Sequence, residues 1–178
     1  MVREISAGGV VIRLMRRKCW VAVIEPRREH AKSRTSKRKT LDTVLALPKG
    51  LVDAGEHAEQ TAVREVHEET GVTASPIAKL IDTKYFYVRS WGDGQRVFKI
   101  VSFYLLRFEG GRIGEIAENM RHEVVRAFWM PLQEAVDKLS YKGERQAAKL
   151  AWDYLAAHPE LLAPGSSASA APERRQQS

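Results

Sequence analysis

The sequence predicts an α/β protein in which one mixed β-sheet is covered by helices on both sides. Segments with strand-like and helix-like patterns alternate along the chain, which favours helices packed on a sheet. Residues 96–108 are apolar with little alternation, which indicates a central strand buried on both faces. The 178 residues, 44% hydrophobic and 29% charged, suffice for one soluble domain with a sizeable core.

The N-terminal region is predicted to form a β-hairpin. Residues 5–14 contain Gly8, Gly9 and a run of β-branched side chains, and predict the first strand. Residues 20–24 predict the second strand, with a basic turn at residues 16–18. Glycine inside a strand often marks a close approach by another group, so we expect a neighbouring segment to lie against Gly8 or Gly9.

A basic stretch follows the hairpin. Residues 27–43 are crowded with Arg and Lys and poor in apolar side chains, which predicts a long loop. This loop precedes residues 44–47, a predicted strand that ends at Pro48. Two hypotheses stay open for the loop. It folds over a site and meets phosphates, with Arg27 as a candidate contact, or it is solvated and has no substrate role.

Residues 58–70 predict a helix with a cluster of acidic side chains. The segment has good helix formers without Gly or Pro, and Gly71 stands where a helix end is expected. Glu65, Glu68 and Glu69 share one side of this helix and repel one another. A bound cation would reverse that repulsion, and clustered oxygen ligands suit Mg²⁺ or Mn²⁺. The apolar stripe beside them, expected to pack on the core, is Ala58, Ala62 and Val66.

The acidic helix is part of a longer pattern. From Gly50, five residues lead to Glu56, and seven more lead to an Arg-Glu-apolar-any-Glu-Glu-any-Gly-apolar run at residues 64–72. This pattern resembles the Nudix box. Chance matches of this length arise with a probability on the order of 10⁻⁷, so a solvated acidic helix face does not explain it. The fixed positions are filled by Gly50, Glu56, Arg64, Glu65, Val66, Glu68, Glu69, Gly71 and Val72.

The resemblance covers about residues 5–157 and implies an α/β/α sandwich. It also implies hydrolysis of a nucleoside diphosphate linked to another group X, with Mg²⁺ or Mn²⁺ as cofactor. Glu65 and Glu69 are then the first metal ligands. Glu68 joins them through further ions, and the Gly50 carbonyl is also a ligand by resemblance.

The general base stays open in this interpretation. One of the three helix glutamates, Glu65, Glu68 or Glu69, could serve, and so could a glutamate from the loop that precedes the last strand, where the candidates are Glu115, Glu118 and Glu123. A metal-bound hydroxide could also need no separate base. We expect Arg64 to point away from the carboxylates. By resemblance it pairs with Glu56 and holds the preceding loop against the helix, so both residues have an orienting role in catalysis.

The box does not identify X. The Leu-Pro-Lys-Gly sequence at residues 47–50 and the basic loop resemble Nudix members that act on dinucleoside polyphosphates or diphosphoinositol phosphates. A dinucleoside polyphosphate is the leading hypothesis. The alternatives are house-cleaning hydrolysis of nucleoside triphosphates, including oxidised ones, and a non-catalytic nucleotide-sensing domain. The predicted substrate contacts are Lys49, Arg27 and Tyr85, and the alternative for Lys49 is an exposed turn lysine.

The second half of the chain predicts a long hairpin followed by helices. Strands at residues 77–87 and 96–108 flank a Trp-Gly-Asp-Gly turn. Their aromatic residues could stack on a base, although core packing is the expected role of each; they are Tyr85, Phe86, Tyr87 and Trp91. A strand at residues 124–129 and a helix at 131–138 follow. An amphipathic helix at 143–157 is predicted to bury Ala147, Leu150, Ala151, Tyr154 and Leu155.

We predict one domain over residues 1–160 and a disordered tail over 161–178, because the tail is rich in Pro, Gly, Ser, Ala and Gln. The net charge of +7 suits an anionic small-molecule substrate, a polyphosphate or nucleotide, although it can also serve solubility alone. A nucleic-acid partner is not expected, because no aromatic-basic module is present. A single cysteine, Cys19, and the lack of an apolar N-terminal run predict a cytoplasmic protein without a membrane partner.

Overall fold

The computed structural model describes residues 1–27, 43–89 and 92–163. Within these ranges the strands are β1 Val2–Met15, β2 Lys18–Pro26, β3 Lys49–Leu51, β4 Val72–Val88, β5 Arg96–Gly111 and β6 Val124–Pro131. The α-helices are α1 Ala58–Thr70, α2 Leu132–Lys138 and α3 Lys142–Ala157. Two 3₁₀ helices, Glu118–Met120 and Pro159–Leu162, complete the described elements.

The strands form one mixed sheet in the order β4-β5-β1-β2-β6, and β3 pairs with part of β1. Strand β1 runs parallel to β5 and antiparallel to β2 and β3. Its side chains alternate between two cores. Val11 packs with Ala62 and Val66 of α1 on one face, whereas Val10 packs with residues of α2 and α3 on the other. The predicted α/β/α sandwich with a central mixed sheet is therefore confirmed.

Two glycines in β1 allow other segments to approach the sheet closely. A Cβ atom at Gly8 would lie 2.6 Å from the Pro48 carbonyl oxygen, and one at Gly9 would lie 2.8 Å from Val66 Cγ2. Gly9 N–H also donates to the Pro48 carbonyl at 3.1 Å. The segment that leads into β3 and helix α1 thus lie directly against β1 at Gly8 and Gly9, as the glycines in the sequence predicted.

The predicted strand at residues 44–47 is wrong. This segment makes one isolated bridge, between Ala46 and Ile24, and the strand that follows is the short β3. The physical reason lies in the hydrogen bonds of Leu45. Its N–H donates to Ser140 Oγ at 2.9 Å, and its carbonyl accepts from Ser140 N–H at 2.9 Å. Leu45 therefore pairs with the junction between α2 and α3 instead of with a strand.

Some predictions fall on parts of the chain that the structure does not describe. Residues 28–42 of the basic loop, Trp91 and residues 164–178 of the tail lie outside the described residues. Leu161 and Leu162, at the start of the predicted tail, belong to a 3₁₀ helix and pack on the core cluster that includes residues of α3. No helix among the described residues is long and apolar enough to cross a membrane.

Candidate metal and catalytic site

The C-terminal end of α1 is fixed by the loop that follows β5. Gly71 ends the helix with φ at 81°, and its N–H donates to the His67 carbonyl at 2.8 Å. A Cβ atom at Gly71 would lie 2.5 Å from the Arg112 carbonyl oxygen, so glycine is required both for the conformation and for the space. Ala117 N–H donates to the Glu68 carbonyl at 2.8 Å. The loop therefore lies directly beside the acidic part of the helix.

Helix α1 buries two of its three predicted ligands. Glu65 and Glu69 are 4% and 5% exposed, whereas the Glu68 side chain remains 25% exposed. The main chain of β3 lies against both buried carboxylates. Lys49 N–H donates to Glu69 Oε2 at 2.9 Å, and a Cβ atom at Gly50 would lie 2.0 Å from Glu65 Oε1. Any side chain at position 50 would therefore displace the Glu65 carboxylate.

Burial raises the pKa of both carboxyl groups. Desolvation raises the pKa of Glu69 to about 8; the Lys49 charge opposes this increase, and the Glu65 charge adds to it. Desolvation likewise raises the pKa of Glu65 to about 6, against the opposing effect of Arg64. The charge of Glu123, one of the three loop glutamates considered above, raises both pKa values. The fold therefore places Glu123 within electrostatic reach of the pair.

Arg64 and Glu56 form the pair that the resemblance implied. Arg64 Nε lies 2.9 Å from Glu56 Oε2, and Arg64 Nη2 lies 2.9 Å from Glu56 Oε1. Glu56 also accepts a hydrogen bond from the Thr61 hydroxyl. Hydrogen bonds from Arg64 and Thr61 lower the pKa of Glu56 to about 2. Arg64 Nη2 donates in addition to the Leu51 carbonyl at 3.1 Å, so the guanidinium ties β3 and the following loop to α1.

The expected direction of Arg64 is wrong in one respect. Its Nη1 atom contacts the carboxylate side of the helix, 3.0 Å from Glu65 Oε1 and 3.3 Å from Glu68 Oε2. The reason is the fork shape of the guanidinium group. After Nε and Nη2 have bound Glu56, Nη1 still faces the neighbouring acids.

The other predicted substrate contacts lie at the margins of this group or on another face. Lys49 Nζ lies 2.8 Å from Glu144 Oε1, and its side chain is 24% exposed, so Lys49 is neither an exposed turn residue nor a free cation. Arg27 is beside the loop, where its Nε donates to the Arg121 carbonyl at 3.0 Å and its N–H donates to the Glu123 carbonyl. Tyr85 packs on the core cluster under α3, and burial raises its pKa to about 12.

Sequence reasoning missed Glu144. This residue is 3% exposed and lies on the apolar side of α3 with Ala147, Ala148 and Ala151. A signal was present, because an acidic residue in register with a buried stripe needs a partner inside the protein. The sequence does not say that the partner is Lys49.

The donor chemistry of this site fits a hard divalent cation. Glu65 Oε2 is buried and has no hydrogen-bond partner, and two buried carboxyl groups with raised pKa values lie side by side. Oxygen ligands of this kind suit Mg²⁺ or Mn²⁺. Across residues 1–27, 43–89 and 92–163, no three His, Cys, Asp or Glu side chains converge closely enough to share one ion. Instead, Arg64 Nη1 bridges Glu65 and Glu68.

Comparison with known proteins identifies the family. A family model described as "NUDIX domain" matches residues 6–152. The chain belongs to the Nudix family. The Nudix box predicted above is thus the α1 segment with its preceding loop, and the six-stranded sheet in the described residues is the Nudix sheet.

Individual Nudix proteins resemble this chain to different degrees. "Putative mutator protein MutT4" of Mycobacterium tuberculosis is 39% identical over 153 residues, which cover 84% of this chain and 55% of that protein. The "8-oxo-(d)GTP phosphatase" of Mycolicibacterium smegmatis is 32% identical over 104 residues, which cover 58% of this chain and 29% of that protein. The chain therefore spans about half, or less, of these relatives. The crystal structure of a C. elegans Ap4A hydrolase binary complex matches with a TM-score of 0.58 at 21% identity, covering 86% and 98% of the two chains.

Proposed function

We propose that this Nudix protein is a metal-dependent hydrolase that cleaves a phosphoanhydride bond in a nucleoside diphosphate linked to a group X. The observation that carries the proposal is the buried pair of Glu65 and Glu69 on α1, in which one Glu65 oxygen has no hydrogen-bond partner. A structural acid pair in a protein core would normally be satisfied by donors. An acid pair with one oxygen that has no hydrogen-bond partner, next to the Gly50 main chain, is suited to bind a cation.

Gly50 and the charged residues of the box have proposed roles. Glu65 and Glu69 hold the cation, with Glu68 and the Gly50 carbonyl as further ligands. A bound Mg²⁺ or Mn²⁺ supplies neutralisation of phosphate charge and a lowered pKa for a water ligand. Arg64 and Glu56 orient the helix and its loop. The base is proposed to be Glu68, Glu69 or Glu123.

The leading substrate class is a dinucleoside polyphosphate, which is more anionic than a single nucleotide and suits the net charge of +7. Similarity to the Ap4A hydrolase structure supports only the fold at 21% identity. The Lys49 side chain does not support this substrate class, because its charge is paired with Glu144. The second candidate is a nucleoside triphosphate, oxidised or not, which the similarity to the 8-oxo-(d)GTP phosphatase of Mycolicibacterium smegmatis favours. Diphosphoinositol phosphates and a nucleotide-sensing role without turnover complete the alternatives.

The test is a Mg²⁺-dependent hydrolysis screen. The panel holds dinucleoside polyphosphates, nucleoside triphosphates including an 8-oxo form, ADP-ribose, nucleotide sugars and a diphosphoinositol phosphate. We expect turnover concentrated in one class, and a kcat about 100-fold lower in Glu69→Gln, because the variant loses a charged ligand. Glu59→Gln, an exposed glutamate of the same helix, is the matched control and should keep the wild-type kcat.

The outcomes separate the hypotheses. A Glu69→Gln protein within about threefold of wild type would show that the site is assigned wrongly, given the loss expected for a metal ligand. No turnover of any compound, with tight nucleotide binding retained, would favour the sensor. Running Glu123→Gln beside Glu115→Gln tests the loop. Only the former should lose activity if Glu123 is the further ligand or base.

A further inference from the structure

A buried acid on α3, Glu144, contacts the segment that leads into the carboxylate site. Its Oε1 lies 2.8 Å from Lys49 Nζ, and its Oε2 accepts a hydrogen bond from Leu47 N–H at 2.9 Å. A carboxylate that is 3% exposed is stable only when its charge is paired and its oxygens accept hydrogen bonds. Residues 47–49 meet both conditions, so Glu144 and this segment hold one another in place.

The same segment contacts the proposed metal ligands. Lys49 N–H donates to Glu69 Oε2 at 2.9 Å, and the adjacent Gly50 lies so close to Glu65 that a Cβ atom would overlap the carboxylate. Lys49 therefore bonds in two directions, with its main chain to Glu69 and its side chain to Glu144. A shift of residues 47–49 would disturb the contacts of Glu65 and Glu69 together.

The start of α3 is itself held in position by contacts with β4 and with Leu45. A Cβ atom at Gly143 would lie 2.8 Å from Thr83 Cγ2, so the first turn of α3 is in close contact with β4. Ser140, just before α3, exchanges two hydrogen bonds of 2.9 Å with Leu45. The α2–α3 junction, through Ser140, and the first turn of α3, through Glu144, thus hold residues 45–49 at two points.

We propose that Glu144 is a positioning residue for the metal site. Through Leu47 and Lys49 it fixes the main chain of β3 against Glu65 and Glu69, and thereby sets the affinity of the site for its divalent cation. It touches neither substrate nor reacting atoms. The inference rests on the proposed function in that it requires a cation at these two carboxylates. It also gives the Lys49 side chain a role in holding residues 47–49 in position, in place of the phosphate contact predicted from the sequence.

The test is Mn²⁺ binding by the full chain, measured by calorimetry. Glu144→Gln keeps an acceptor for Leu47 N–H but removes the charge that pairs with Lys49. We expect its Mn²⁺ affinity to fall about 10–100-fold, as for other groups that hold metal ligands in position. The matched control is Asp153→Asn, which removes an exposed acid that pairs with Lys149 at 2.8 Å on the same helix. Its affinity should equal that of the wild type.

A second variant guards against a folding defect. Lys49→Met combined with Glu144→Leu removes both charges, so that neither is left buried and unpaired. Weakened Mn²⁺ binding in this folded double variant supports the proposal, and wild-type affinity in either folded variant overturns it. Loss of the fold in the double variant, seen by circular dichroism, would also overturn it. Glu144 would then stabilise the whole domain and not the position of residues 47–49.

A kinetic measurement provides a further readout. Raising the Mg²⁺ concentration should restore much of the kcat of Glu144→Gln, whereas a catalytic defect would persist at saturating metal. The failures of the two proposals are distinguishable. If the wild type binds Mn²⁺ but hydrolyses no compound of the panel, the proposed function fails, and reduced Mn²⁺ affinity in Glu144→Gln still supports the positioning role. If the wild type is active and Glu144→Gln binds Mn²⁺ normally, only the positioning role fails.

Discussion

Two ion pairs hold β3 and its flanks from opposite sides, and they differ in their access to water. In the pair between Arg64 and Glu56, the side chains are 28% and 18% exposed. In the pair between Lys49 and Glu144, they are 24% and 4% exposed. Each pair also binds the main chain of the strand region. Arg64 donates to the Leu51 carbonyl, and Glu144 accepts from a peptide N–H two residues before β3.

The difference predicts that losing one partner is tolerated in the Arg64–Glu56 pair and is costly in the Lys49–Glu144 pair. If the Arg64–Glu56 pair is broken, water can solvate both groups, which limits the loss of stability. If the Lys49–Glu144 pair is broken, little water reaches the Glu144 carboxylate, and its desolvation is left uncompensated. The two pairs should therefore respond differently to mutation, although each is a close contact between one cation and one acid.

The largest effect is expected from breaking the buried pair on one side only. Lys49→Met should lower the free energy of unfolding by about 3–5 kcal/mol, because Glu144 is left charged and buried. Adding Glu144→Leu should recover most of this loss, so that the double variant is more stable than Lys49→Met alone. Urea denaturation of the two variants and the wild type measures this. Additive losses from the two substitutions would show that the pair is not energetically coupled.

An intermediate effect is expected for Arg64→Lys. An ammonium group cannot reproduce the two parallel bonds to Glu56 while also reaching Leu51 and Glu65. We expect a loss of about 2 kcal/mol in the free energy of unfolding, the scale of charge-assisted hydrogen bonds, reduced by partial exposure. Arg126→Lys, in which a 56% exposed arginine pairs with Glu25, is the matched control. Equal losses in the two variants would mean that the forked geometry of Arg64 carries no special stability.

How easily a contact can be predicted from the sequence depends on the number of residues that separate its two partners. Helix α1 occupies the predicted residues 58–70, because good helix formers run without interruption up to Gly71, which alone fits the left-handed turn there. The partners Glu56 and Arg64 are eight residues apart, so a fixed motif spacing can encode them. The partners Leu47 and Glu144 are 97 residues apart. Their meeting depends on how α3 packs, which no local pattern specifies.

The errors have the same origin. The predicted strand at residues 44–47 had strand-like composition, but Leu45 bonds to Ser140 and Leu47 bonds to Glu144, both tertiary partners, which leaves Ala46 with a single bridge to Ile24. The choice among three loop glutamates was open because the loop is placed by carbonyls at the end of α1. The docking of this loop on α1 accompanies the effect of the Glu123 charge on the carboxylate pair. The direction of Arg64 Nη1 likewise depends on Glu56 taking the other two nitrogens.

The smallest effect is expected for Glu56→Gln, and it depends on pH. The pKa of Glu56 is lowered from 4.5 to about 2 in the folded protein, so its ionised form stabilises the fold at pH values above about 4.5. That contribution is lost as pH falls from about 4.5 toward about 2. The variant should therefore be less stable than wild type by about 1 kcal/mol at pH 7, and the difference should narrow below pH 4.5. The control Glu59→Gln removes an exposed carboxyl of the same helix and should stay within about 0.5 kcal/mol of wild type at pH 7. A difference for Glu56→Gln that stays constant from pH 7 to pH 3 would show that the Arg64 bond does not depend on the Glu56 charge.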